Sequence, residues 1–318
     1  MFLGGRVLKV VVGNVLRFLP CVICLQCHLN SHLAVEILGG DGIGLEHLLG
    51  SALEDNFTSL DNKEKSIAQS LQSVLNQSNT DFEIVVVDDG STDKSVEIVE
   101  GIEDARLKLF KQPNAGPSKA RNTGVGHASG EWIVFLDADD ELLPNALSIF
   151  TGIIVEHQDV DIIDCNRYVR MGSQEKLGYH PLEGYIKNPF KKCFYRLVSP
   201  GEGRATFRKT LLQKHPYNEK IRRFEDAELL IRLFSEAKVY SCKKATMIVN
   251  CDFSAASHPR KDVMEDYFAY LDFSKRGFWR KMCVYRTFLE ERELYPEYGK
   301  SHYDLACQTL FPYSYSDG

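Results

Sequence analysis

Between residues 62 and 166, short uninterrupted apolar runs alternate with stretches of helical spacing. That rhythm narrows the fold more than any other feature of the chain. Ile67, Leu71, Val74 and Leu75 repeat at i, i+4, i+7 and i+8, the stripe of an amphipathic helix. Ile84 to Val87 is a continuous apolar strand, and Val96, Ile98, Val99 and Ile102 suggest a second helix. Leu107 to Phe110 reads as a short strand, and Ser118 is placed to cap a helix reaching Ala128. Trp132 to Leu136 is the next strand, Pro144 suits the first turn of a helix towards His157, and Asp161 to Cys165 is a further strand. Strands apolar throughout, rather than at every second residue, belong to sheets covered on both faces. The expected fold is therefore α/β, a mostly parallel central sheet with helices on both faces.

Ligands of such sheets bind at the carboxyl ends of the strands. Two acidic clusters fall there: Asp88-Asp89-Gly90-Ser91-Thr92-Asp93, and Asp137, Asp139, Asp140 and Glu141. Carboxylates crowded this closely repel one another and favour a solvated or metal-bound setting. Alone, each cluster reads equally well as an ordinary turn, which Asp, Gly and Ser suit. Together they form a two-part site at one sheet edge.

A net charge of -6 argues against general affinity for nucleic acid, which needs accumulated positive charge. Nine irregularly spaced cysteines in 318 residues favour reduced thiols and a cytoplasmic setting over a disulfide framework. Cys21, Cys24 and Cys27, with His28 and His32, sit in an apolar run, and buried or incidental thiols are a better reading than a metal site. Lys9, Arg17 and Pro20 interrupt the apolar N-terminus, so a spanning helix is not expected, while a peripheral contact at the inner face of the cell membrane stays open. The glycine-rich turn from Leu38 to Glu46 misses the GxGxxG offsets. It resembles the opening turn of the isocitrate and isopropylmalate dehydrogenases, but nothing later in the chain supports that, and a flexible turn is the better reading.

After residue 166 the pattern loosens. "GEGRATFRKTLL" suggests a loop, a short strand and a helix, and "FEDAELLIRLF" a helix with Glu225 and Asp226 near its start, where the helix dipole favours acids. Residues 262–295 are aromatic and basic, which reads as a packing helix with a solvated basic face or as a contact with an anionic surface.

From about residue 62 to 260 the chain resembles the family 2 glycosyltransferases, nucleotide-sugar enzymes of the GT-A fold, here of the bacterial polysaccharide-biosynthesis type. The stretches that carry the resemblance are "NKEKSIAQSLQSVLNQS", "FEIVVVDDGSTDKS", "NAGPSKARNTGVGHASGEWIVFLDADDELLP", "FRKTLL" and "FEDAELLIRL", in that order. The resemblance implies a GT-A domain over 57–260, an atypical segment over 1–56 and a helical extension over 261–318. It implies a nucleotide-diphospho-sugar donor, a saccharide or lipid-linked acceptor, and Mg2+ or Mn2+ bridging the diphosphate. Asp139 would be the first metal ligand, with Asp137 in support, and Asp140 would bind metal or ribose. Asp89 would accept from the base while Asp88 holds the turn. Arg121 would face the diphosphate, a task suited to a guanidinium fork, although a surface salt bridge is the bland alternative. Asn122 would hold loop geometry. Asp226 would be the general base of an inverting displacement, with Glu225 second. Arg208 and His258 are weaker candidates, for a substrate pocket and a third metal ligand.

One departure stands out. The family opens on an apolar strand that ends in a P-x-Y-N turn. Asn62 matches its last residue, but Phe57 to Asp61 supply no apolar run, proline or tyrosine. Val7 to Val12 could supply a strand only across a long insertion. The alternative is a non-catalytic relative with an incomplete nucleotide pocket.

Overall fold

The computed structural model describes residues 63–198, 204–221, 224–251, 270–271 and 277–294. The Cys21, Cys24 and Cys27 cluster, the Val7–Val12 run, the glycine-rich turn, Asn62 and His258 lie outside the described residues. One compact unit of the chain is Glu54–Cys283, and the elements below belong to it except for the last helix from Val284 onward.

In chain order the elements are α1 (Ile67–Leu75), β1 (Ile84–Asp88), α2 (Ser95–Glu100), β2 (Leu107–Lys111), α3 (Pro117–His127) and β3 (Trp132–Val134). There follow β4 (Glu141–Leu142), α4 (Ala146–Glu156), β5 (Ile162–Met171), β6 (Gln174–Leu177), β7 (Gly184–Tyr185) and α5 (Pro189–Phe194). The last are β8 (Ala205–Arg208), α6 (Lys209–Lys214), α7 (Glu225–Leu233), β9 (Val239–Asn250) and α8 (Phe278–Leu294).

Every element expected between residues 67 and 165 forms, with small shifts at its ends. One cap differs. Gly116, at φ 90°, precedes α3 with Pro117 in the first turn, and Ser118 lies inside the helix, donating its hydroxyl to the Ile221 carbonyl at 3.3 Å. Proline's fixed φ suits a first helical turn, and a left-handed residue before it calls for glycine.

The expectation of a mostly parallel sheet is corrected. β1 and β2 pair in parallel as one sheet. In the seven-stranded sheet, ordered β3-β8-β5-β9-β4 with β6 on β5 and β7 on β9, only β5 and β9 are parallel. The other pairings, β3·β8, β5·β8, β4·β9, β5·β6 and β7·β9, are antiparallel. The reason is physical: a continuous apolar run reports that both faces are covered and says nothing of direction.

Both faces are indeed covered. On one side Val125 of α3, Leu211 and Leu212 of α6, and Leu229, Leu230 and Leu233 of α7 pack on Ile162 and Phe207. On the other, Ala146 and Phe150 of α4 pack on Ile163, Cys165 and Met247. Ile67 and Leu71 of α1 and Val99 of α2 cover Ile84 in a third cluster, which Ala138 joins. That contact seats the acidic turn after β3 against the β1 layer.

Candidate active site

The turn from Asp137 to Asp140 is closed by the Asp140 amide donating to the Asp137 carbonyl at 3.0 Å. Ser70 of α1 donates its hydroxyl to the same carbonyl at 3.2 Å. The three aspartates then diverge. Asp139 Oδ2 accepts from Lys63 Nζ at 2.6 Å, in a largely buried ion pair. Asp140 is buried, and its Oδ1 accepts from the Asn250 amide at 2.9 Å. Asp137 faces Arg121, with 3.9 Å between Oδ1 and the guanidinium.

The acids from α7 meet this turn through that arginine. Arg121 donates to Glu225 Oε1 at 2.9 Å and stands 4.0 Å from Asp226 Oδ1. Its guanidinium also lies 5.3 Å from the centre of the Tyr217 ring. Tyr217 donates its hydroxyl to Asp226 Oδ1 at 3.0 Å. Asn122, one residue beyond Arg121, fixes Tyr217 through both backbone groups, each at 2.9 Å. The expected loop-holding role of Asn122 thus falls on a tyrosine that composition and spacing did not single out.

Electrostatics follow from this crowding. Burial raises the Asp137 carboxyl to about 6, with Asp139 and Asp226 pushing the same way and Arg121 and Lys63 opposing. Its side chain still keeps 37% of its surface, so water reaches it. Burial raises Asp140 to about 7, reinforced by Asp137, against the hydrogen bond from the Asn250 amide. Glu225 is shifted upward by burial and then by Asp226, with Arg121 opposing. Burial disfavours the charge on Arg121, but Asp226, Tyr217, Asp137 and Glu225 outweigh it and raise its pKa.

Arg121 is therefore no surface salt bridge. A methionine there would leave three mutually repelling carboxylates without their cation. Removing one partner of a buried pair costs about 3–5 kcal/mol, so Arg121→Met is expected to lose stability on that scale. Urea denaturation measures it, and a change below about 1 kcal/mol, the scale of an exposed pair, would contradict this account.

The aspartates after β1 are engaged with their own loop. Asp88 Oδ1 accepts from the Ser91 amide at 3.0 Å, holding the turn. Asp89 accepts from Gln112 Nε2 at 2.7 Å, from the Ala115 amide at 2.9 Å and from the Gly116 amide at 2.7 Å. It fixes the loop that leads into α3 and so sets the position of Arg121. Glu141 accepts from Gln69 at 2.7 Å, from Asn250 at 3.1 Å and from Arg170. Arg208 sits at the far end of β3, 4.6 Å over the Trp132 ring and donating to the Val160 and Gln158 carbonyls at 2.6 and 2.8 Å. It fastens the start of β5, away from the acidic turn after β3.

Among the described residues, no three His, Cys, Asp or Glu side chains converge as a metal cage. A cation that arrives with a diphosphate needs only one or two protein carboxylates, the rest of its shell being phosphate oxygen and water. Asp139 and Asp137, hard oxygen donors on one turn, fit that demand. No helix among the described residues is long and apolar enough to cross a membrane.

Comparison with known proteins agrees with this architecture. The model of a family described as glycosyl transferase family 2 matches residues 60–216. A GalNAc(5)-diNAcBac-PP-undecaprenol beta-1,3-glucosyltransferase of Campylobacter jejuni is 30% identical over 220 residues, 67% of this chain and 70% of that protein. An uncharacterized glycosyltransferase of Haemophilus influenzae is 50% identical over 82 residues, 25% of this chain and 33% of that protein. The minor teichoic acid biosynthesis protein GgaA of Bacillus subtilis is 31% identical over 196 residues, 56% of this chain and 42% of its own length. The chain thus spans less than half of the latter two relatives. Among solved structures, S. aureus TarS 1-349 in complex with UDP aligns with a TM-score of 0.56 at 22% identity, covering 81% of this chain and 71% of that one. That likeness carries the GT-A-like fold alone.

Proposed function

We propose a sugar-transfer chemistry from one premise: the chain belongs to glycosyl transferase family 2. The domain over 57–260 moves a sugar, of hexosyl or N-acetylhexosaminyl type, from a nucleotide-diphosphate donor to a saccharide or lipid-linked acceptor hydroxyl. The carrying observation is Arg121, which holds Glu225, Asp137 and Asp226 within 2.9, 3.9 and 4.0 Å of one guanidinium. It draws the acids of α7 to the turn that ends β3.

Asp139, with Asp137, would hold an Mg2+ or Mn2+ ion arriving with the donor, and such an ion would supply positive charge for the leaving diphosphate. Asp226 takes the proton of the acceptor hydroxyl, whose oxygen forms the new bond to the anomeric carbon. The bond to the diphosphate breaks on the opposite face, and the nucleoside diphosphate leaves with its electron pair, inverting that centre. Tyr217 and Arg121 position Asp226. Asp88 uses one carboxylate oxygen for its turn, and Asp89 uses both for the loop. The base edge of the nucleotide therefore meets either the remaining oxygen of Asp88 or the unfilled lone pairs of Asp89.

The test is nucleoside diphosphate release from a panel of UDP- and GDP-sugars with Mn2+ present. Release from at least one sugar, lost on adding a chelator, is the expected result.

The Lys63–Asp139 pair favours a second reading, in which an ammonium fills the cation position and the protein is non-catalytic. It predicts no donor binding at millimolar concentration by calorimetry, with or without Mn2+.

A further inference from the structure

β9 ends on Asn250, a buried residue beside the acidic turn. Both hydrogens of its side-chain amide are used. Nδ2 donates to the Asp139 carbonyl at 2.7 Å and to Glu141 Oε1 at 3.1 Å. Oδ1 accepts from Arg170 at 2.9 Å, and Arg170 is the residue that faces Asn250 across the β5–β9 ladder. These partners fix which way the amide points, since a guanidinium only donates and a carbonyl or an ionised carboxylate only accepts. The Asn250 main-chain amide adds its bond to Asp140 Oδ1 at 2.9 Å. One residue thus holds Asp139, Asp140 and Glu141, three in succession.

We infer that Asn250 is a positioning residue for the Asp139 carboxylate. The inference rests on the proposed function and goes beyond it, because Asn250 supplies no ligand of its own. A carboxylate that is to meet a cation has to be held within about half an ångström of its working place by the groups around it. An aspartate side chain turns about two bonds only, so fixing its main chain fixes most of its reach. Lys63 bonds the Asp139 carboxylate itself and must release it to a cation. Asn250 bonds the carbonyl of the same residue and can stay in place throughout. An aspartate at this position would keep the shape and the acceptor for Arg170, but would set an oxygen against the Asp139 carbonyl and the Glu141 carboxylate. The plain structural alternative is an asparagine that closes β4 on β9. It predicts lost stability on replacement, with no separate effect on the cation.

The test is titration of the full chain with Mn2+ by calorimetry, without donor. Asn250→Ala is expected to weaken Mn2+ binding by about 10–100-fold, the usual effect of removing a partner that orients a metal-binding side chain. Asn250→Asp is expected to lose as much while its pair with Arg170 keeps β9 anchored, so it carries the test if the alanine variant does not fold. Val239→Ala trims a buried side chain at the far end of the same strand and is the control for stability alone. Its Mn2+ affinity should stay within about twofold of wild type, as expected of a distant, independent site. In turnover, excess Mn2+ should return Asn250→Ala towards the wild-type rate, whereas Asp139→Ala should not respond. Mn2+ affinity within about twofold of wild type in the folded Asn250 variants overturns the inference. So does an equal loss in Val239→Ala. Wild type that takes no Mn2+ also overturns it, because a turn held ready for a cation should bind one without donor. The proposed function is decided separately, by nucleoside diphosphate release, so either can fail alone.

Discussion

Asp139→Ala is expected to lower metal-dependent turnover of the donor by about a thousandfold, since a metal clamp on a leaving diphosphate supplies several kcal/mol at the transition state. The substitution has a second consequence that the family pattern alone would not suggest. Asp139 is the carboxylate partner of Lys63 at 2.6 Å, and both side chains are largely buried. Removing it leaves a half-enclosed ammonium without its counter-charge, which costs stability as well as activity. The two effects separate in the double variant Lys63→Met/Asp139→Ala. Stability should recover most of its loss there, because neither charge remains, while turnover should stay at the level of Asp139→Ala. If turnover recovers together with stability, Asp139 serves the fold and does not touch the donor. Lys63→Met alone discriminates the two readings of the site. In an active enzyme it frees Asp139 and should tighten Mn2+ binding, read by calorimetry on the protein without donor.

Much of the fold was legible in the sequence because local physics decides it. The α1 stripe, the apolar runs of β1, β2 and β3, and the acids at the start of α7 all report on their immediate neighbours. Strand direction was not legible. β8, which sits between β3 and β5 and runs against both, comes from a stretch more than sixty residues after β3. β9, the 12-residue partner of β5, was missed because Lys243 and Lys244 break its apolar run. Both lysines are exposed where the pairing with β5 shifts register, so the interruption marks an irregularity within the strand and not its end.

The candidate site divides in the same way. Residue type and spacing pointed to Asp137 and Asp139, the family resemblance added Arg121, Glu225 and Asp226, and the structure brings the five together. What the carboxylates bond to was hidden, because the partners lie far away in the chain: Lys63 for Asp139, Asn250 for Asp140 and Tyr217 for Asp226. Lys63 falls within the first stretch that carries the family resemblance, next to Asn62, but nothing in the sequence places its charge beside the acidic turn. Nothing in the sequence marks Asn250. The division of labour between Asp88 and Asp89 was equally hidden, since it depends on the loop from Gln112 to Gly116 folding back over β1. The stretch expected to carry the opening strand lies outside the described residues, among which β1 pairs with β2.

Asp226→Asn is expected to reduce kcat by about 10²–10⁴-fold, the contribution of a positioned general base. Two acids begin α7, and their surroundings separate them. Glu225 keeps only 13% of its side-chain surface and is bonded to Arg121 at 2.9 Å. Asp226 keeps 41% and accepts a hydrogen bond from Tyr217. A base must reach an incoming hydroxyl, so the exposed acid is the better placed, and the buried one orients the arginine. Glu225→Gln keeps the shape and an acceptor for Arg121, and is expected to act mainly on stability and KM. Asp226→Asn keeps the acceptor for Tyr217 but cannot hold a proton, so the loss should appear in kcat with the donor KM little changed. Donor hydrolysis by water, slow in both proteins, gives an internal check: its metal dependence should survive in Asp226→Asn, because Asp139 is untouched. The assignment fails if Asp226→Asn transfers sugar within tenfold of wild type while Glu225→Gln does not transfer at all. That result would move the base to the acid that Arg121 now holds, and would require the ion pair to open when the acceptor arrives.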